Sequence, residues 1–305
     1  MIRRIIHIVL LILFIAVPVL RTEAAQDVWT GVRRIVAVGD LHGDYDQFVA
    51  VLVSAGLIDA NEDWTGGRTH LVQTGDVVDR GADSRKIMDL LMKLEKQASR
   101  AGGYVHALIG NHESMNVYGD VRYVSPGEFS AFRNRNSQKF RRAIYRDHVE
   151  RAMKIPRTGG GPVFDDAYRE EWEARYPLGY FEHHDQLGPS GKYGKWIRRH
   201  NTLIKINDTL YLHGGISPKY ANDSIRRIND RVREELGNFS KLGGGVVMDM
   251  DGPLWYRELA QGSGPVFDDA YRREWEARYP LGYFEHHDQL GPSGKYGKWI
   301  RRHNA

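Results

Sequence analysis

Four runs of aliphatic and β-branched residues in this chain each end on glycine beside an Asp, Asn or His, and this restricts the fold more than any other feature. Arg34 to Val38 runs into Gly39-Asp40-Leu41-His42-Gly43-Asp44, and Leu71 to Thr74 runs into Gly75-Asp76-Val77-Val78-Asp79-Arg80-Gly81. Tyr104 to Ile109 leads to Gly110-Asn111-His112-Glu113, and Thr209 to Leu212 leads to His213-Gly214-Gly215. Between the first two runs Phe48, Val51, Leu52 and Ala55 recur at helical spacing. Between the second and third, Ile87, Leu90, Leu91, Leu94 and Ala98 share one face of a helix capped by Asp83 or Ser84. Strands alternating with helices imply an α/β fold with a partly parallel sheet. Ligands collect at the carboxyl ends of such strands, where glycine lets the chain turn sharply.

Asp40, His42, Asp76, Asn111 and His213 are therefore placed to converge. Asp40 and His42 are two apart, which in extended backbone puts both on one side. A mixed set of carboxylate, imidazole and amide suits Mn, Fe or Zn better than Ca or Mg. The chain has no cysteine, which excludes disulfides, thiolate metal sites and a cysteine nucleophile. With 41% hydrophobic and 27% charged residues in 305, it is a folded globular chain of one large or two ordinary domains. Its net charge of +4 falls close to +2 without Arg3, Arg4, Arg21 and Glu23, too little to argue for nucleic acid as a partner.

Those four charges flank the apolar run Ile5 to Leu20, which precedes small residues at Ala24-Ala25. Residues 1–25 read as a secretory signal peptide, so the chain is expected to be exported, periplasmic or secreted, with membrane contact only through that segment if uncleaved. The folded part is expected over 30–262. Within it, about 117–201 shows no clear strand and reads as an irregular or helical insertion over the sheet. Its basic stretch, Arg135, Lys139, Arg141, Arg142 and Arg146, reads as a solvated helix face, and His183-His184 as surface histidines. Thr202 to Ile206 and Thr209 to Leu212 form a hairpin about Asn207-Asp208, and Ile225 to Leu236 is an amphipathic helix. Asp251 to Arg257 begins something that the chain does not finish.

Gly161 to Asn201 recurs at Gly264 to Asn304, offset by 103, with Glu170 against Arg273 as the only difference in 41 positions. Architectural repeats diverge and need about three copies to share a core, so this is a recent duplication or a misjoin. Both copies carry one set of side chains fitted to one place on the sheet. The second is expected to dock poorly, leaving the fold truncated at its C-terminal side.

Any one of these motifs alone is ordinary turn chemistry, but the four in this order and spacing resemble the calcineurin-like metallophosphoesterases. The GDxHG, GDxxDRG, GNHE and HGG blocks are those of the phosphoprotein phosphatase group. The continuation SMNVYGD after GNHE and the run Pro253-Leu254-Trp255-Tyr256-Arg257 are most similar to the Shewanella-like protein phosphatases. The resemblance covers about Arg34 to Leu259. It implies a β-sandwich flanked by helices and two metal ions, with Asp40 and His42 on the first, Asp76 bridging, and Asn111 and His213 on the second. The reaction implied is hydrolysis of a phosphomonoester, such as a phosphorylated protein or peptide, by in-line attack of a metal-bridging hydroxide. His112 would act as general acid oriented by Asp79, and Arg80 and Arg257 would hold phosphate. Arg257 reads equally well as stacking on Trp255 and Tyr256.

The family pattern also has a Gly-His after the PLWYR run, absent here. His286, His287 and His303 lie downstream, all inside the copied segment. This leaves two further readings: a phosphate-binding pseudoenzyme with a weakened second metal, and a dinucleoside polyphosphate hydrolase, which shares the first three motifs.

Overall fold

The computed structural model describes residues 26–154, 161–238 and 245–258. The segment read as a signal peptide, 1–25, and the second copy, 264–304, lie outside the described residues. Among the described residues no helix is long and apolar enough to cross a membrane.

Two small sheets face each other. The first joins β2 (Ile35–Val38), β3 (His70–Gln73) and β4 (Tyr104–Ala107), all parallel, with Val38, Gln73 and Ala107 in register at their ends. The crossovers are α1 (Tyr45–Ser54) and α2 (Ser84–Arg100), as the sequence periodicity predicts. Asp44 caps α1 by accepting the Gln47 N–H, and Ile87, Leu90, Leu91, Leu94 and Ala98 of α2 are all buried. Each such Ile or Leu contributes about 1.5–3 kcal/mol, and together they fix the sheet on its helices.

The second sheet has the order β1 (Val28–Trp29), β5 (Leu203–Ile206), β6 (Thr209–Leu212). The β5–β6 hairpin turns at Asn207, whose φ of 53° is the left-handed conformation such a turn needs. Strand β1, too short to read from sequence, pairs in parallel with β5. Trp29, Ile204 and Ile206 of this sheet pack with Val72 of the other and Leu108 just past its β4, closing a β-sandwich flanked by helices.

The region read as an irregular or helical insertion is helical. After α3 (Asn111–Tyr118) come α4 (Pro126–Ala131), α5 (Ser137–Lys154), α6 (Asp166–Arg175), α7 (Tyr180–Leu187) and α8 (Lys192–Ile197). Apart from α5, whose basic face was readable, these are short helices rich in Gly, Arg and aromatic residues, which carry little periodic signal. They enclose a core of their own around Phe129, Phe140, Trp172, Tyr180 and Phe181. Arg135, Lys139, Arg142 and Arg146 are exposed as expected, whereas Arg141 is half-buried and pairs with Glu173 at 2.6 Å. The last helix among the described residues, α9 (Ile225–Gly237), starts at Ser224, which accepts the Arg227 N–H.

Residues 245–258 fold back beside the His-Gly-Gly turn. Gly214 donates to the Pro253 carbonyl, and Trp255 Nε1 donates to the Val247 carbonyl. The start of the PLWYR run is thereby seated against the end of β6, and Arg257 is carried to the carboxyl ends of the strands.

Candidate active site

Asp76, just past the end of β3, is the centre of the site. Its φ is 59°, its side chain is almost wholly buried, and each of its polar groups has a separate use. The N–H donates to Glu113 at 2.8 Å, and the carbonyl accepts from Leu41 and His42, both at 2.9 Å. Oδ1 accepts the His112 N–H at 3.0 Å. Oδ2 is left facing three imidazoles: His213 Nε2 at 3.3 Å, His42 Nε2 at 3.7 Å and His112 Nε2 at 3.8 Å.

The convergence of Asp40 and His42 comes from a turn, not from the alternation of an extended strand. His42 has a φ of 45°, and its loop curls around the Asp76 carbonyl. The ring Nδ1 of His42 donates to the Val78 carbonyl at 3.0 Å, which turns Nε2 toward both Asp40 and Asp76. The strand ends pack so closely that glycine is compulsory at Gly110, where a Cβ would lie 2.3 Å from Asp76 Oδ1. At Gly75, with a φ of 106°, a Cβ would lie 2.7 Å from Gly110 N.

Two overlapping groups of donors result, His42 with Asp76 and His112, and Asp40 with Asp76 and His213. His42 Nε2 and His213 Nδ1 are buried without a hydrogen-bond partner, a cost that a coordinated cation would remove. Asn111 Oδ1 lies 2.7 Å from His213 Nε2, which brings the amide into the same cluster. Burial raises the Asp76 carboxyl, but the His213 hydrogen bond and the charges of His213 and His112 outweigh it and hold the group below the usual carboxylate range. The residues present fit a pair of N- and O-liganded metal ions.

Residues 33–283 match the calcineurin-like phosphoesterase family, which is most of the chain. The chain belongs to that family. Calcineurin-like phosphoesterases use a dinuclear metal site, and the Asp76 cluster supplies candidate ligand residues for one. The chain is 32% identical over 234 residues to Shewanella-like protein phosphatase 2 of Arabidopsis thaliana, covering 73% of this chain and 56% of that one. It is 28% identical over 213 residues to Shewanella-like protein phosphatase 1 of Plasmodium berghei, covering 70% and 47%. The solved cold-active protein-tyrosine phosphatase of a psychrophile Shewanella sp. superposes with a TM-score of 0.57 at 28% identity, over 83% of this chain and 65% of that one. The chain thus spans about half to two thirds of the length of these relatives.

Beside the cluster of this calcineurin-like phosphoesterase, His112 Nδ1 lies 2.5 Å from Asp79 Oδ2. Burial would lower the His112 pKa, but the Asp79 hydrogen bond and the carboxylates of Asp76, Asp79 and Glu113 raise it. Asn116 Nδ2 donates to Asp79 Oδ1 at 2.8 Å, so both carboxylate oxygens are fixed. Asp79 and Arg80 have φ of 73° and 66°, two consecutive left-handed residues that cost of order 1–3 kcal/mol each. This turn throws Arg80 outward, and its side chain is exposed at the rim. Arg257 neither stacks on its aromatic neighbours nor stands free: Nη2 donates to Asn111 Oδ1 at 3.2 Å and lies 3.0 Å from His213 Nε2.

Glu113, Asn116 and Glu128 were not singled out by the sequence reading. Glu113 accepts the N–H groups of Asp76, Gly110 and Val77 at 2.8, 2.8 and 2.7 Å, tying the end of β3 to the start of α3. Its burial, then the charge of Asp76, pushes it up to about 7 against the pull of the Asp76 and Gly110 N–H groups and the charge of His213. Its signal was present as the Glu three residues past Gly110, a helix-start pattern. His183 and His184, read as surface residues, are buried on α7. His183 packs edge-on against Phe129 and Phe132.

Proposed function

We propose that this chain is an exported, metal-dependent phosphomonoesterase acting on phosphorylated proteins or peptides. The observation that carries the catalytic part is Asp76 Oδ2 facing His42, His112 and His213 within 3.8 Å, with Asp40 and Asn111 on either side. Held by Asp40, His42 and Asp76, and by Asp76, Asn111 and His213, two Mn, Fe or Zn ions would supply Lewis acidity to phosphate oxygens and lower the pKa of an attacking water. His112, protonated and held by Asp79, hands a proton to the leaving oxygen, which departs as an alcohol or phenol. Arg80 reaches the phosphate from the rim, where its fork of donors matches two phosphate oxygens. Arg257 takes a third oxygen once it leaves Asn111 and His213.

The phosphoprotein substrate is supported by the names of the relatives, which are protein phosphatases. Export is supported by the two arginines, apolar run and small residues of the N-terminal segment. A mature mass starting near residue 26 after expression in an exporting host tests it.

A second reading, a phosphate-binding chain without turnover, is favoured by Arg257 lying against Asn111 and His213, which a second metal would need. Elemental analysis and hydrolysis of an aryl phosphate with added Mn²⁺, beside Asp76→Asn, separate the two. Two metals per chain with turnover lost in the control supports the enzyme. One metal or none, with no turnover at any Mn²⁺ concentration, leaves the second reading.

A further inference from the structure

The insertion reaches the candidate general acid through α4. Ser125-Pro126-Gly127-Glu128 is a capping-box sequence, Ser at the N-cap and Glu three residues on. In such a box the Glu ordinarily turns back to the N-cap N–H. Here only half of the box forms, since Ser125 Oγ accepts the Glu128 N–H at 3.1 Å while the Glu128 carboxylate goes elsewhere. Its Oε2 accepts the Asp79 N–H at 3.1 Å. Ser125 Oγ donates to the Gly81 carbonyl at 2.8 Å, and the Tyr123 carbonyl accepts the Arg80 N–H at 2.9 Å. The two left-handed residues and Gly81 after them are therefore gripped by three residues of one short segment.

Glu128 is completely buried. A buried carboxylate is costly unless its oxygens are occupied, so its place demands a reason. Oε2 has the Asp79 N–H, and Oε1 faces His183 Nε2 at 3.6 Å. His183 is in turn wedged between Phe129 and Phe132, so the carboxylate has a rigid wall behind it. Asp79 is held at its backbone by Glu128, at Oδ1 by Asn116, and at Oδ2 by His112.

We propose that Glu128, backed by His183, is a positioning residue that sets the Asp79–His112 pair. It acts through the length of its side chain: the oxygen must reach the Asp79 N–H. This rests on the phosphatase reading above, in which His112 protonates the leaving group.

The test uses the full chain and three variants, Glu128→Asp, Glu128→Gln and Asp79→Asn, on two substrates. Phenyl phosphate has a poor leaving group and needs the proton from His112; 2,4-dinitrophenyl phosphate has a good one and does not. Glu128→Gln keeps the reach and is expected within about threefold of the parent on both, which also controls for folding. Glu128→Asp withdraws the oxygen by one methylene and is expected to lose roughly a hundredfold in kcat on phenyl phosphate, the scale of a misplaced catalytic group. Its KM and its rate on the dinitrophenyl ester should stay near the parent values. Equal losses on both esters, or no loss on either, overturn the proposal.

If the parent hydrolyses neither ester, the phosphatase reading fails, and a second measurement still decides the positioning. In the metal-free protein the His112 Nδ1 proton should give a far-downfield NMR resonance, assigned by its loss in Asp79→Asn. It should move in Glu128→Asp and stay in Glu128→Gln. A resonance unmoved in Glu128→Asp overturns the proposal whatever the activity.

Discussion

Arg257 sets its guanidinium against the same two side chains, Asn111 at 3.2 Å and His213 at 3.0 Å, that complete the far side of the Asp76 cluster. A cation held there competes with any metal for those ligands. Like charges about 4 Å apart cost of order a few kcal/mol at an effective dielectric of about 20. Arg257→Gln is therefore expected to bind Mn²⁺ at least about tenfold more tightly by calorimetry, while KM for an aryl phosphate rises about tenfold through loss of a charge-assisted contact. Unchanged Mn²⁺ affinity would mean that the guanidinium does not compete for these ligands.

Glu113 makes a second test of how the cluster is held. Its two oxygens accept N–H groups from Asp76, Val77 and Gly110. Gln offers one oxygen and presents an NH₂ where the other was, so at least one buried N–H loses its acceptor, at about 1–3 kcal/mol. Glu113→Gln should lower unfolding stability by that amount and weaken metal binding about 10–100-fold, as loss of groups that orient metal ligands does. Stability and metal affinity both at the parent level would show that α3 needs no such tie.

Much of this architecture was legible because each residue type had a local reason to be where it is. Gly75 and Gly110 stand where two strand ends touch, and the motif glycines mark those ends in the sequence. The periodic face of α2, from Ile87 to Ala98, and the Asn207 turn were equally readable. The illegible parts depend on contacts distant in sequence. Nothing near Glu128 shows that its partner is Asp79, 49 positions earlier, because the same four residues would serve as an ordinary helix cap. His183 and His184 looked like surface residues because adjacent polar residues usually are, yet the aromatic core of the insertion closes over them. Strand β1 spans two residues and exists only by pairing with β5, so it carried no pattern at all.

The near-identical segments give a test within one chain. Trp172 is buried among Tyr145, Tyr176 and Phe181, and its counterpart in the second copy is Trp275. The one difference between the copies, Glu170 against Arg273, falls at an exposed position in the first, so it does not alter the packed face. If the first copy alone holds the site, Trp172→Ala costs about 3–5 kcal/mol, as for a core aromatic. Trp275→Ala then changes stability by no more than about 0.5 kcal/mol. Equal losses from the two substitutions, read by urea unfolding, would show that the copies share the site.

The far end of the sheet should make stability depend on pH through His106. This imidazole is buried on β4 against Trp29 and Tyr104, and its Nε2 lies 3.0 Å from His70 Nδ1. Burial, then the charges of His70 and His200, depress its pKa from 6.5 to about 3. His70 is also lowered by burial and acts in the same direction. Below 6.5 the unfolded chain binds a proton that the folded chain refuses until about 3, so stability from this group is complete above 6.5 and is lost as pH falls through that window. At pH 5 the loss from His106 is about 2 kcal/mol. His106→Phe keeps an aromatic ring between Trp29 and Tyr104 and removes the titration. Between pH 7 and 5, with chelator present to take the metal site out of the comparison, the Phe variant should lose about 2 kcal/mol less than the parent in urea unfolding. Parallel declines would show that protonation of this cluster is not what the fold resists.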